Sequence, residues 1–145
     1  MQRLVIDTNI YIDWLNQGRH EDIIFQREAV KPLSAVVLME LLAGAFSVQD
    51  RRLIRNITLP FAKANRIVTP TVSIYQEAGD VLRRLQRLRG YSMPGAYGLV
   101  NDVLIALSAR SIGASVITQN DRDFTAIQAV QPFKLVVKSL TREEN

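Results

Sequence analysis

Apolar positions along this chain follow two alternating rhythms. Short unbroken runs, Leu4-Val5-Ile6, Leu33-Ser34-Ala35-Val36, Arg66-Ile67-Val68-Thr69, Ser115-Val116-Ile117-Thr118 and Phe133-Lys134-Leu135-Val136-Val137, have the length and β-branched character of buried strands. Between them, apolar residues recur at helical spacing over about 8–16, 22–29, 37–45, 49–64, 71–89 and 98–112. This alternation predicts an α/β fold, a parallel sheet covered by helices. The segment from Gly90 to Gly98 breaks the pattern with glycines and Pro94, which makes it a loop and a candidate rim for a site. There is no internal repeat or linker. At 145 residues and 48% hydrophobic content, residues 1–145 fit one domain able to bury a core without staples.

Parallel sheets hold ligands outside the carboxyl ends of their strands. Asp7 directly follows the first strand, Glu40 lies just past the second, Asp123 follows the fourth, and Asp102 is expected in the first turn of the helix leading into the fourth. The fold would bring all four to one edge. Two like charges ~4 Å apart at an effective dielectric of ~20 repel by about 4 kcal/mol. Several such pairs rival the roughly 5–15 kcal/mol that holds a domain together, so the group must protonate or bind a cation. The chain has no cysteine, which excludes thiolate sites, disulfides and cysteine nucleophiles and leaves oxygen ligands for a hard ion.

Each acid also has a plainer reading. Asp7 suits a helix N-cap, Asn101 or Asp102 another, and the polar turn Thr118-Gln119-Asn120-Asp121-Arg122-Asp123-Phe124 contains ordinary turn residues. Glu40 is harder to explain away, because it emerges from a helical stripe of Val36, Val37, Leu41 and Gly44. In the turn, Asp123 is the first choice for the fourth acid and Asp121 the reserve.

Lys and Arg total 18 against 14 acids, a net charge of +4, and if the four acids hold a metal, the remaining surface is basic enough to suit a nucleic acid. Arg83, Arg84 and Arg87 segregate from Ala78, Val81, Leu82, Leu85 and Leu88 on one helix, as phosphate contacts or as a solvated face. Arg51, Arg52 and Arg55 on the preceding helix invite the same two readings. That helix also carries Val48, Leu53, Ile54, Ile57 and Phe61, which with Ile23, Ile24 and Phe25 suit core packing, a dimer face or a partner's groove. The single histidine, His20, is taken as a solvated loop residue, which argues against catalysis by paired imidazoles. No signal peptide is visible, and the longest apolar stretch, Ala35 to Phe46, is too short for a bilayer, so a cytoplasmic protein with no membrane partner is expected.

Taken together and in order, Asp7-Thr8-Asn9, Ser34 with Glu40-Leu41-Leu42-Ala43-Gly44, Asn101-Asp102-Val103-Leu104-Ile105-Ala106 and the Thr-x-Asn-x-x-Asp-Phe turn at 118–124 resemble the PIN-domain nucleases, and among them the VapC-type toxins. The resemblance spans residues 4 to 124. It implies a three-layer α/β sandwich on a five-stranded parallel sheet. It also implies a Mg²⁺- or Mn²⁺-dependent endoribonuclease, commonly a homodimer, restrained by a small VapB-like antitoxin. By that likeness Asp7, Glu40, Asp102 and Asp123 are the acidic quartet and metal ligands, with Thr8, Thr118, Asn120 and Asp121 as supporting polar residues. The Gly90–Gly98 stretch is longer than the family usually has there. A different reading keeps the fold but makes the chain a regulatory module that acts on DNA with a partner protein. A phosphatase-like or response-regulator-like pocket fits less well, since Lys134 and Lys138 are poorly placed for it.

Overall fold

In the computed structural model, which describes residues 1–139, the first apolar run becomes β1 (Gln2–Ile6). Leu4, Val5 and Ile6 are all buried, as a parallel strand covered on both faces requires. The chain continues through α1 (Thr8–Gln17), α2 (Glu21–Ile24), β2 (Ala29–Val30), β3 (Leu33–Ser34), α3 (Ala35–Ala43), α4 (Val48–Lys63) and β4 (Ile67–Val68). It closes with α5 (Val72–Arg89), α6 (Tyr97–Ser111), β5 (Ser115–Thr118), α7 (Asp121–Val130) and β6 (Leu135–Val137).

The α/β class is as expected, but the sheet differs from the single five-stranded one. β2-β1-β5-β6 form one parallel ladder, and β3 and β4 form a separate parallel pair. Two local causes explain this. Ser34 Oγ accepts from the backbone N–H groups of Val36 (3.2 Å) and Val37 (3.4 Å), so α3 starts at Ala35 and β3 keeps only two residues. Ala29, expected to end a helix over 22–29, instead pairs with Gln2, the next residue Val30 pairs with Arg3, and α2 stops at Ile24. Tertiary pairing overrides a weak local preference there.

A further helix, α7, grows out of the polar turn at 118–124. Asn120 caps it by accepting from the Asp123 N–H at 3.4 Å, and Phe124, Ala126, Ile127 and Val130 then bury one face. Phe124 meets Phe133 edge to face at 6.3 Å, which locks this helix to the segment entering β6.

The core centres on α6. This helix packs on β1, β3 and β5 and also against α3, α5 and α7, so Asp102 through Ala109 are buried without interruption. Small side chains at Ala106, Ser108 and Ala109 suit such close packing on several sides. On α5, Ile74, Ala78, Val81 and Leu85 face the core, while Leu82 is half-buried and Leu88, expected in the same stripe, is exposed in the last turn. Among the described residues no helix is long and apolar enough to cross a membrane.

Two substitutions test this packing. Phe124→Ala should lose about 3–5 kcal/mol of stability, measured by chemical denaturation, because the site is fully enclosed. Ser108→Ala should instead hold or raise the unfolding midpoint by up to ~1 kcal/mol, since Ser108 Oγ is buried with no hydrogen-bond partner. A large loss at Ser108→Ala would mean that its hydroxyl is satisfied.

Candidate active site

The turn after β1 sets the first acid. The Asp7 N–H still donates to Ile117 O of β5 at 2.9 Å, extending the ladder by one residue, and the side chain then caps α1. Asp7 Oδ1 accepts from the Thr8 N–H (2.8 Å) and Oδ2 accepts from the Thr118 hydroxyl (2.6 Å). The capping and ligand readings of Asp7 thus fall on the same buried carboxylate. The next residue, Thr8, donates its hydroxyl to Glu40 Oε1 at 2.8 Å, which ties α1 to half-buried Glu40 on α3.

Asp102 does not cap its helix. It lies in the second turn of α6, whose N-cap position is Ala96, and it is only 7% exposed. Asn120 Nδ2 donates to Asp102 Oδ2 (3.0 Å) and also approaches Asp123 Oδ2 (3.4 Å), so one amide joins α6 to the first turn of α7. The Tyr91 hydroxyl donates to Asp123 Oδ1 at 3.1 Å. Thr118 is the hub: besides serving Asp7, its oxygen accepts from the Asn120 N–H (2.9 Å) and from Asn9 Nδ2 (3.4 Å). Asp121 is exposed instead, with Oδ1 accepting from the Thr125 hydroxyl at 2.8 Å.

The electrostatics follow from that crowding. Burial, reinforced by the charges of Asp7, Asp123 and Glu40, pushes the Asp102 carboxyl up to about 8, and the Asn120 amide offsets this only in part. Burial also raises Asp7, against the opposing hydrogen bonds from Thr118 and Thr8, with Glu40 adding to the rise. Burial and the Asp123 carboxylate push the Tyr91 phenol up as well. Yet among the described residues no three His, Cys, Asp or Glu side chains stand at metal-ligand spacing. The four acids feel one another but are splayed, each held by hydroxyl or amide groups, as mutual repulsion favours.

A second polar network adjoins the first. Gln119 Nε2 donates to Asp13 Oδ2 (2.8 Å) and lies 2.6 Å from His20 Nε2, while the Gln119 N–H donates to Asn9 Oδ1 (3.3 Å). His20 is therefore not the solvated loop residue expected. Its backbone is left-handed (φ 64°), its side chain is only 13% exposed, and it sits 3.7 Å from Asp13 Oδ2. Asn9 and Asp13 are four apart on α1, a spacing that puts them on one helix face and was visible in the sequence. Nothing in the sequence pattern linked Tyr91 to Asp123, or His20 to Gln119.

The candidate arginines lie elsewhere. Arg83 and Arg87 are exposed on α5, Arg84 is half-buried, and Arg83 pairs with Asp80 one turn earlier. Arg51 donates to the carbonyls of Ala45 (3.3 Å) and Phe46 (3.2 Å), anchoring the start of α4. No described hydrogen bond or ion pair joins any of these to the four acids.

Comparison with known proteins bears on the fold and the family. No curated protein matches the chain. Among solved structures, VapBC-1 from nontypeable Haemophilus influenzae is 25% identical, with a TM-score of 0.67, covering 94% of this chain and 98% of that one. VapBC2 from Rickettsia felis, bound to a DNA fragment from its promoter, is 19% identical with a TM-score of 0.69, covering 95% and 100%. VapBC-5 from Mycobacterium tuberculosis, a member of the VapBC family of toxin–antitoxin systems, is 22% identical with a TM-score of 0.61, covering 95% and 100%. The PIN domain model matches residues 4–130, which contain all four acids, and the chain belongs to the PIN domain family.

Proposed function

We propose that this PIN-domain nuclease is a Mg²⁺- or Mn²⁺-dependent endoribonuclease, the toxin of a type II toxin–antitoxin pair, acting in the cytoplasm on RNA phosphodiester bonds. The observation that carries this reading is the set of neutral ties that gathers four acids at one end of the sheet, Thr118 on Asp7, Thr8 on Glu40 and one Asn120 amide on Asp102 and Asp123, with Asp102 pushed up by its burial and by the other three. A donor set made wholly of carboxylate oxygens, backed by hydroxyls and an amide, fits a hard divalent cation. Asp7, Glu40, Asp102 and Asp123 would hold it. Held by those residues, it would supply Lewis acidity toward a scissile phosphate and a water.

The chain's own residues prepare that site. Thr118 and the Thr8 N–H fix both oxygens of Asp7, and Asn120 keeps Asp102 and Asp123 within reach of one amide. Asp102 holds a proton near neutral pH and must release it to act as a ligand, so cation affinity should rise with pH. The ribose hydroxyl takes no part in this chemistry, so a preference for RNA would come from surfaces outside the acids. Arg83, Arg84 and Arg87 would add salt-sensitive grip there.

The restraining partner would be a small antitoxin. The supporting feature is an apolar groove where α1, α2 and α4 meet, lined by Tyr11, Trp14, Ile24, Phe25, Ile57 and Phe61. Phe25 is 62% exposed there, which suits burial by a second chain. We propose a homodimer as the working form. The promoter DNA bound by the Rickettsia VapBC2 complex favours a second role for such a toxin–antitoxin pair, contact with DNA while the nuclease is restrained.

Purified protein should cleave single-stranded RNA with Mg²⁺ or Mn²⁺ and not with chelator. Asp7→Asn and Asp102→Asn should each lower the rate by at least ~100-fold while keeping the native circular dichroism spectrum. Wild-type rates in both variants would refute the quartet. A DNA-binding role without nuclease activity predicts instead salt-dependent gel shifts that survive both changes.

Linkage gives an independent check. The Asp102 pKa rises from 3.8 to about 8 on folding, so its stabilising contribution is complete below about pH 4 and is lost as pH climbs through about 8. Without metal, the melting temperature of wild type should therefore fall between pH 5 and pH 8.5 relative to Asp102→Asn. Added Mg²⁺ at pH 8.5 should restore wild type more than the variant. Parallel pH profiles for the two proteins would contradict the crowded-carboxylate account.

A further inference from the structure

Beside Asp123 the surface opens into a cleft of about 530 Å³, within the range of small-ligand sites. Its walls come from two elements that pack together, the end of α5 with the residues after it and the first turns of α7. Arg89, Tyr91 and Ser92 line one side, and Asp121, Arg122 and Thr125 the other.

We propose that this cleft is a phosphate subsite of the nuclease, holding a neighbouring phosphate of the strand being cleaved between Arg89 and Arg122. The inference rests on the nuclease reading above. Three observations lead to it. Neither arginine lies within 4.0 Å of a carboxylate among the described residues, and the Arg122 charge faces the Tyr91 phenol on the cleft wall, pulling it down against burial and Asp123. Asp121, the acid on the lining, already accepts from Thr125, which leaves two cations facing one engaged carboxylate. Tyr91 is shared between cleft and quartet, since its hydroxyl donates to Asp123 Oδ1 at 3.1 Å.

The backbone explains why the cleft is there. Gly90 ends α5 in the left-handed region (φ 68°), with its N–H bonded to Leu85 O, so the chain reverses and brings Tyr91 back against α7. The start of the Gly90–Gly98 segment, Gly90 to Ser92, thereby contributes a wall. The electrostatic need is equally direct. Four carboxylates repel an approaching polyanion, and a cationic wall next to them offsets that field where the strand leaves the site. Arginine forks match phosphate oxygens in pairs, and two of them on one wall suit a strand that carries phosphates in series.

The test measures binding apart from cleavage. A fluorescein-labelled single-stranded oligoribonucleotide of roughly eight nucleotides is titrated, by anisotropy with Mg²⁺, against full-length Asp7→Asn protein and the same protein carrying Arg89→Gln, Arg122→Gln or both. The double arginine variant should bind about 10-fold or more weakly, and the slope of log affinity against log salt should flatten by roughly 0.7 for each phosphate no longer neutralised. Thr125→Glu, which adds a carboxylate to the wall and leaves both arginines, should weaken binding too and covers misfolding of the double variant. Unchanged affinity and slope in all of these would overturn the proposal. So would a polyglutamate peptide binding as tightly as the RNA with the same arginine dependence, or inorganic phosphate matching the RNA's affinity. Kinetics separate the two readings: Mg²⁺-dependent cleavage by otherwise wild-type protein with an unchanged KM in the arginine variants sinks the subsite alone. Arginine-dependent RNA binding without any cleavage sinks the nuclease reading and, with it, the placement beside a cleaved bond, while upholding Arg89 and Arg122 as an RNA-phosphate site.

Discussion

The burial of Asp102 beside three other acids is the constraint on which the site depends. A carboxylate that is 7% exposed on a helix packed from several sides would be costly even alone, and here three more acids add to its burden. A fold keeps such a group only if the surrounding structure is stable enough to hold it and some state of the protein relieves it. Protonation relieves it here, and in the proposed nuclease a divalent cation would do so.

The scaffold's answer is to fix the acids from outside the cluster. Thr118 ends β5, beside the extension of β1, and there one hydroxyl meets Asp7, Asn9 and the backbone of Asn120. Glu40 is reached through Thr8, Asp102 and Asp123 through Asn120. Each tie is neutral, so it orients a carboxylate without cancelling the charge that a cation would need. The second network, through Gln119, Asp13 and His20, braces the same turn from the side of α1. Around this centre the surface divides by chemistry: a cleft with two arginines lies beside Asp123, and an apolar groove lies across α1, α2 and α4.

Sequence alone settled the α/β class, the five strand runs it named to within a few residues and the helical spans from α3 to α6, because burial on both faces of a strand and one stripe of a helix leaves periodic traces in residue type; the family resemblance came from four polar motifs in order. It also marked which acids stand at strand ends. Position in three dimensions was decided by tertiary structure. Asp102 lies at a buried second-turn site and not at a first-turn cap, because α6 starts at Tyr97, close to the start near 98 that the spacing gives, and packs on several sides, and the sheet split because Ser34 caps α3 at once. Asp121 turned outward while Asp123 turned toward Asn120, a choice of rotation about α7 that spacing does not encode. Tyr91 with Asp123 and His20 with Gln119 are contacts across 32 and 99 positions, and such pairs leave no local pattern to read. Periodicity records what each segment must bury; which distant polar atoms then meet depends on how whole elements pack, and only the folded chain contains that.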